Sequence, residues 1–543
     1  MSKDSLLKGT LILTLAAFIA RFLGMAQRVP LQHILGDAGQ AVYGVANTWY
    51  LVLLPIATAG IPSALSKLIS EKTALGRHAE ADRILRAALW FALVAGLFIT
   101  LVLYAAAPLI ANASGIPQSA ASIRAMAPAL LLFPIIAMLR GYFQGRQRMT
   151  PGGISQIVEQ IVRVVTSIGL AGILLWVGYG IEGMAAGASF GAVFGGIGAL
   201  GIMLLYFSKL KRIDRNKRSA AAAGGASAAR GVAMTVKQIY TVLLKLAIPM
   251  SLFSASVQLV YLVDSMLGVP LLKGQIGAQQ AQELLGALLG RAQSLAGIPV
   301  IFAVAISQSL VPVISSAYAK RDMDEVGNKA SQAIRLGLFT GIPVIAAITV
   351  AADPINRLIF ADSHGTSMIA LLTAGTIFQI IMMTTGAILM GIGRMRALIV
   401  NVVLMFVIKL AGSIALAYGF GMDGMVVATM LAFLAAAAMN VALLRRLTPM
   451  KLFNRRKWAG LAVTVAVMSG VGVGVFELCR LYITPFGNRL DDLLHTLLVC
   501  GVVVALYPAL LALTRVVTPA DAASFPAPVR KLLARGARLL GRG

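Results

Sequence analysis

Apolar residues run along this chain in stretches of about 20, broken by short polar segments, and the pattern repeats from end to end. A continuous apolar run of that length spans a bilayer core of about 30 Å as an α-helix. Fourteen such runs are expected, at about 5–27, 40–68, 84–111, 122–143, 154–178, 182–208, 238–268, 291–318, 332–352, 366–391, 397–419, 422–446, 457–481 and 492–514. A membrane β-barrel would instead alternate in segments of about ten residues. The predicted fold is therefore an all-α polytopic membrane protein with 14 transmembrane helices.

Composition agrees. The 543 residues are 59% hydrophobic and only 12% charged, against about 25% charged in soluble domains. Mean hydropathy is +0.86. The net charge of +27 would point to nucleic acid in a soluble protein. Here the cations gather in the short segments between spans, so they report topology instead. With fourteen spans, 32 of the 47 Lys and Arg fall on the side of the N-terminus and 5 on the other, with the remaining 10 in or at the edges of spans. Both termini are thus expected in the cytoplasm, on the basic side. The first apolar run lacks a small-residue cleavage site and is too long for a signal-peptide core. Cys479 and Cys500 lie in the last two spans, and neither a disulfide nor a metal site is expected from them.

Internal duplication suggests two lobes. Leu-Leu-Lys occurs at 6–8 and 243–245, and Gly-Arg-Gln-Arg at 145–148 corresponds to Gly-Arg-Met-Arg at 393–396. Six spans lie in each half and both halves start inside, so the repeats are parallel, and transporters of this kind bind substrate between halves that rock. The expected division is an N-lobe (1–208), a basic cytoplasmic linker (209–237) read as a flexible tether, a C-lobe (238–446), two extra helices (447–514) and a basic tail (515–543).

Polar residues inside spans are costly and mark function or pairing. Arg21 and Arg28 stand in the first span, seven residues apart, so one uninterrupted helix would put them on one face. Arg21 faces either a hydrated cavity or a structural carboxylate. Arg28 is either cavity-lining or an interfacial anchor. Span 5 carries Gln156, Glu159, Gln160, Arg163 and Ser167 at helical spacing, either a hydrogen-bonded seam or a cavity wall, with Glu159 and Arg163 placed to pair at i,i+4. Asp264 in span 7 is a counter-ion, a coupling site or an interfacial residue. Arg291 opens span 8 as an anchor or as a third converging arginine. Lys67 and Lys409 read as snorkelling residues. Gly183, Gly187, Gly191 and Gly195 form a small-residue stripe for close helix packing. No nucleophile elbow, P-loop or zinc motif is present, so neither an enzyme nor a cofactor is expected.

Four strings carry a resemblance: Ala-Arg-Phe-Leu-Gly-Met-Ala-Gln-Arg (20–28), Gly-Ile-Pro-Ser-Ala-Leu-Ser-Lys (60–67), Leu-Arg-Gly-Tyr-Phe-Gln-Gly-Arg-Gln-Arg-Met-Thr-Pro (139–151) and Ser-Leu-Val-Pro-Val-Ile-Ser-Ser-Ala (309–317). The chain resembles the multidrug/oligosaccharidyl-lipid/polysaccharide exporter superfamily, and within it the stage V sporulation protein B and MurJ-type lipid II flippases. The resemblance implies two six-helix lobes around a central cavity and export of an undecaprenyl-pyrophosphate-linked sugar. It implies cavity arginines at Arg21 and Arg291, with Gln27 where the family has its second helix-1 arginine. The family's charged residues in helix 2 have no counterpart here before Lys67. A pyrophosphate head needs cations, and arginine's fork suits phosphate oxygens. Expected partners are the lipid-linked oligosaccharide, anionic membrane lipids and cell-wall synthases, with no nucleic acid, in a monomer of the bacterial plasma membrane. A drug/cation antiporter, an exporter of another lipid-linked polysaccharide and a non-transporting scaffold are the competing readings.

Overall fold

The computed structural model describes residues 6–58, 61–74, 77–223, 238, 240–241, 250–450, 452–483 and 489–517. Among these the chain is helical throughout, and twelve helices are long and apolar enough to cross a membrane. The chain divides into two compact units, Met1–Gly286 and Ala287–Gly543.

The first unit contains α1 (Leu6–Ala26), α2 (Arg28–Thr58), α3 (Ile61–Ala74), α4 (His78–Ala113), α5 (Ser119–Met126), α6 (Ala129–Gly145), α7 (Thr150–Trp176), α8 (Ile181–Ala223) and α9 (Ser256–Ile276), with α10 (Ala278–Ala287) at its end. Breaks fall where backbone chemistry allows them. Gly36 holds φ at +63° inside α2, a left-handed conformation that glycine adopts without a Cβ penalty. Pro151 opens α7 in its first turn, where its missing N–H costs nothing. α8 continues to Ala223. The first part of the expected flexible tether is therefore helix, because its Lys, Arg and Ala residues are strong helix formers. Residues 224–237 lie outside the described residues, as do 242–249 of the seventh expected span and 518–543 of the basic tail.

The second unit contains α11 (Gln293–Ala319), entered through a π-helical turn at Leu288–Ala292, α12 (Met323–Val350), α13 (Ala352–Phe360), α14 (Thr366–Gly391), α15 (Met395–Leu447), α16 (Arg455–Tyr482) and α17 (Arg489–Leu513). The 53 residues of α15 would measure about 80 Å as one rod at 1.5 Å per residue. They fold back at Gly421, where φ is +58°. Asn401 Nδ2 then donates to Asn440 Oδ1 at 2.8 Å, and Lys409 Nζ to the Met425 carbonyl at 2.8 Å. The arms are an antiparallel hairpin. Lys409 is fully buried within it, so it does not snorkel as its sequence position suggests: its ammonium is satisfied by a backbone carbonyl of the facing arm.

Side-chain exposure is inverted relative to a soluble protein. On α4, Trp90, Val94, Phe98 and Leu101 recur on one face and are exposed, forming a stripe for lipid. The buried side faces neighbouring helices, with Tyr50, Tyr142 and Phe143 packed in the first unit and Phe339 and Phe433 in the second.

Candidate functional site

α7 carries the polar stripe, and α8 determines how tightly it is held. A Cβ on Gly191 would stand 2.1 Å from Ser167 Oγ, and one on Gly195 would stand 2.8 Å from the Glu159 carbonyl and 2.9 Å from Arg163 Cβ. The small residues of α8 thus press its backbone onto the back of the stripe, and Ser167 Oγ donates to the Ala188 carbonyl at 2.8 Å. With that side closed, the remaining polar groups turn to other helices.

Glu159 turns toward α6. Arg140 Nη2 donates to its Oε2 at 2.8 Å, while Arg140 Nε and Nη2 donate to Ser155 Oγ at 2.8 and 2.6 Å. Ser155 is fully buried and Glu159 nearly so. The expected Glu159–Arg163 pair within α7 is not formed, because Arg140 reaches the carboxylate from across the interface. Arg163 turns toward α2 instead. Its guanidinium hydrogen-bonds Tyr43, donates to Asn47 Oδ1 at 3.2 Å and lies 5.3 Å over the Tyr50 ring, a cation–π distance. Tyr50 is itself held edge-on by Phe133 at 5.8 Å. Gln160 lies toward α1, since a Cβ on Gly24 would be 3.4 Å from its Oε1. Gln156 Oε1 is buried with no hydrogen-bond partner among the described residues.

Arg28 joins this cluster. It is half-buried and lies in the electrostatic field of Tyr43, Tyr261 and Arg163. Tyr261 in turn feels Asp264, which is buried on α9. Arg21 is exposed, so the two arginines differ in environment. Gln27 stands between α1 and α2 with its side chain buried, and helical hydrogen bonds run on through it, from its N–H to the Leu23 carbonyl and from the Leu31 N–H to its own carbonyl.

Arg291 belongs to the second unit. It sits in the π-helical turn, buried. Both of its Nη atoms bond the Asp362 carboxylate, Nη2 at 3.1 Å to Oδ2, and its guanidinium lies 5.3 Å over the Phe360 ring. The His364 N–H donates to Asp362 Oδ1 at 2.8 Å. Partial burial pushes the Asp362 carboxyl up, but the Arg291 and His364 hydrogen bonds outweigh it and hold the group below the usual carboxylate value.

A second basic knot closes the end of the first unit that carries the loop at 146–149. Arg146 Nη2 donates to both Asp214 oxygens at 2.9 Å, and the Tyr142 hydroxyl bridges Arg146 and Asp82 at 3.0 and 2.9 Å. Sequence position alone does not assign roles to Arg140, Tyr43 or Tyr50. The only signal for Arg140 is its place at the head of the 139–151 string.

Comparisons with known proteins follow this geometry. The family model described as polysaccharide biosynthesis protein matches residues 6–318, more than half of the chain. The chain belongs to this family. A MatE family model also matches residues 285–414. The lipid II flippase MurJ of Bacillus subtilis (strain 168) is 28% identical over 461 residues, covering 82% of this chain and 83% of that one. The stage V sporulation protein B of the same organism is 30% identical over 366 residues, covering 67% and 68%. Among solved structures, the inward closed conformation of MurJ aligns with a TM-score of 0.64 at 17% identity, covering 92% of this chain and 98% of that one. An inward-facing multidrug resistance MATE family transporter aligns at 0.62 and 14%, covering 79% and 94%. The family member described here is thus a multi-pass, all-helical membrane protein with the MurJ/MATE fold, and its relatives are transporters rather than enzymes.

Proposed function

We propose that this protein moves an undecaprenyl-pyrophosphate-linked cell-wall precursor, with lipid II as the first candidate, from the inner to the outer leaflet. The observation that carries the reading is Arg163, a cation between helices whose hydrogen bonds go to neutral groups, Tyr43 and Asn47, above the Tyr50 ring. An anionic head group supplies at close range the counter-charge that these neutral groups do not. The nearest carboxylate on α7, Glu159, is already held by Arg140. The relatives named lipid II flippase and stage V sporulation protein B support the same substrate class. Fourteen spans with both termini in the cytoplasm, arranged as two six-helix lobes and two extra C-terminal helices, fit alternating access. With no ATPase motif in the sequence, the membrane potential or an ion gradient supplies the energy. Arg21, exposed on α1, serves as an entry contact for the same head group.

The test is depletion in a strain lacking related flippases, with inner-leaflet lipid II as the readout. Accumulation rescued by the wild-type chain and not by Arg163→Gln is expected. Normal lipid II export in the depleted strain would sink the proposal. The MatE match at residues 285–414 favours a second reading, a drug/cation antiporter. A cationic cargo would be recognised by a carboxylate, so cation-dye efflux that survives Arg163→Gln and is lost on Asp264→Asn would select it.

A further inference from the structure

Glu159 and Arg163 are four residues apart on α7, with the acid N-terminal to the base, which is the favoured order for a helical ion pair. Left alone on this helix they would neutralise each other. The structure separates them. Arg140, reaching from α6, spans two successive turns of α7 by bonding Ser155 and Glu159 together, with Nη2 shared at 2.6 and 2.8 Å. Arg163 then bonds neutral groups, Tyr43 and Asn47, and stacks on Tyr50. Three charges are present in the group, two positive and one negative, and the fork of Arg140 decides which cation the carboxylate serves.

We propose that Arg140 is a positioning residue, holding Glu159 so that the Arg163 charge stays available to the pyrophosphate of the cargo. This rests on the anionic-cargo reading and deepens it. A plain staple between α6 and α7 would also use such a bond. The two roles part when the acid is removed as well. In a staple, binding follows stability, so any repair of binding on deleting both partners comes with an equal repair of the melting temperature. In the positioning role, losing Arg140 turns Glu159 onto Arg163, and removing Glu159 then releases Arg163 again.

The experiment measures equilibrium binding of undecaprenyl pyrophosphate to the full chain in detergent, with a melting curve for each variant. Arg140→Gln is expected to weaken binding about tenfold, the scale of one charge-assisted hydrogen bond. Arg140→Gln with Glu159→Gln is expected to return to within about twofold of wild type, although both variants lose the interhelical bond and melt earlier. Should Arg140→Gln not fold, Arg140→Lys replaces it, because an ammonium keeps the charge but not the two-position fork. It should show a smaller loss that Glu159→Gln again repairs. A double variant as weak as the single one, or an Arg140 variant that binds like wild type, overturns the proposal. Unchanged binding by Arg163→Gln refutes the underlying anion reading instead, whatever the Arg140 variants do.

Discussion

Two arginines in apolar helices, Arg163 in the first unit and Arg291 in the second, are satisfied in opposite ways. Arg291 meets a carboxylate head-on, with both Nη atoms on Asp362 and an aromatic ring beneath. Arg163 also has a ring beneath it, Tyr50, but its hydrogen bonds go to a phenol and an amide. Hydrogen bonds are supplied in both places, but only Arg291 touches a carboxylate directly, while Glu159 acts on Arg163 through its field without bonding it. A bidentate contact lowers the cost of keeping the buried Arg291 in place, while the half-exposed Asp362 keeps the net worth of the pair small. An arginine held by neutral acceptors keeps its shape and its charge, which is the arrangement that anion recognition requires.

The comparison can be broken most decisively by transport. Arg163→Gln should reduce lipid II export by about 100-fold, the upper range for a charge-assisted contact, with little change in melting temperature. Arg291→Gln should do the reverse, lowering stability and reducing export only as far as folded protein is lost. Equal export defects at equal stability would end the distinction. A smaller effect is expected for Gly195→Ala. Its Cβ would meet the Glu159 carbonyl and Arg163 Cβ below 3.0 Å, and overpacking of this kind costs about 1–3 kcal/mol. Both melting temperature and export should fall, because the clash displaces the stripe itself. Smaller again is the coupling of Arg291 to Asp362. Since Asp362 is 49% exposed, a double-mutant cycle should give about 0.5–1 kcal/mol. A value near zero would make Arg291 as unpaired in energy as Arg163.

The smallest effect concerns pH. The Asp362 carboxyl titrates lower in the folded protein than its ordinary value of 3.8. Its contribution to stability is therefore fully present above that value and is lost as pH falls through the lowered folded value. A melting series in detergent from neutral to strongly acidic pH should show this loss, and Asp362→Asn should remove that part of the slope. An unchanged slope would mean the carboxylate adds nothing to the pair.

Much of the fold is legible in the residue pattern, because spanning length is a one-dimensional property: twenty apolar residues in a row have few alternatives. The α7 stripe was readable for the same reason, since Gln156, Glu159, Gln160, Arg163 and Ser167 repeat at helical period. Their partners were not. Glu159 was within reach of Arg163 on its own helix, and only the approach of α6 brought Arg140 closer. Helical spacing relates Arg21 to Arg28, but that one is exposed and the other half-buried depends on which helices pack beside them. Lys409 looked like a snorkelling residue because its sequence neighbours are apolar. The carbonyl it bonds belongs to Met425, which becomes a neighbour only after the turn at Gly421.

Residue pattern alone places this chain in a membrane and shows where its helices run, which face of α7 is polar and that arginines stand among them. Only the tertiary structure decided which arginine a carboxylate neutralises. Helical period is set by bonds within four residues, whereas the choice of ion-pair partner depends on distances between helices that sequence spacing does not contain.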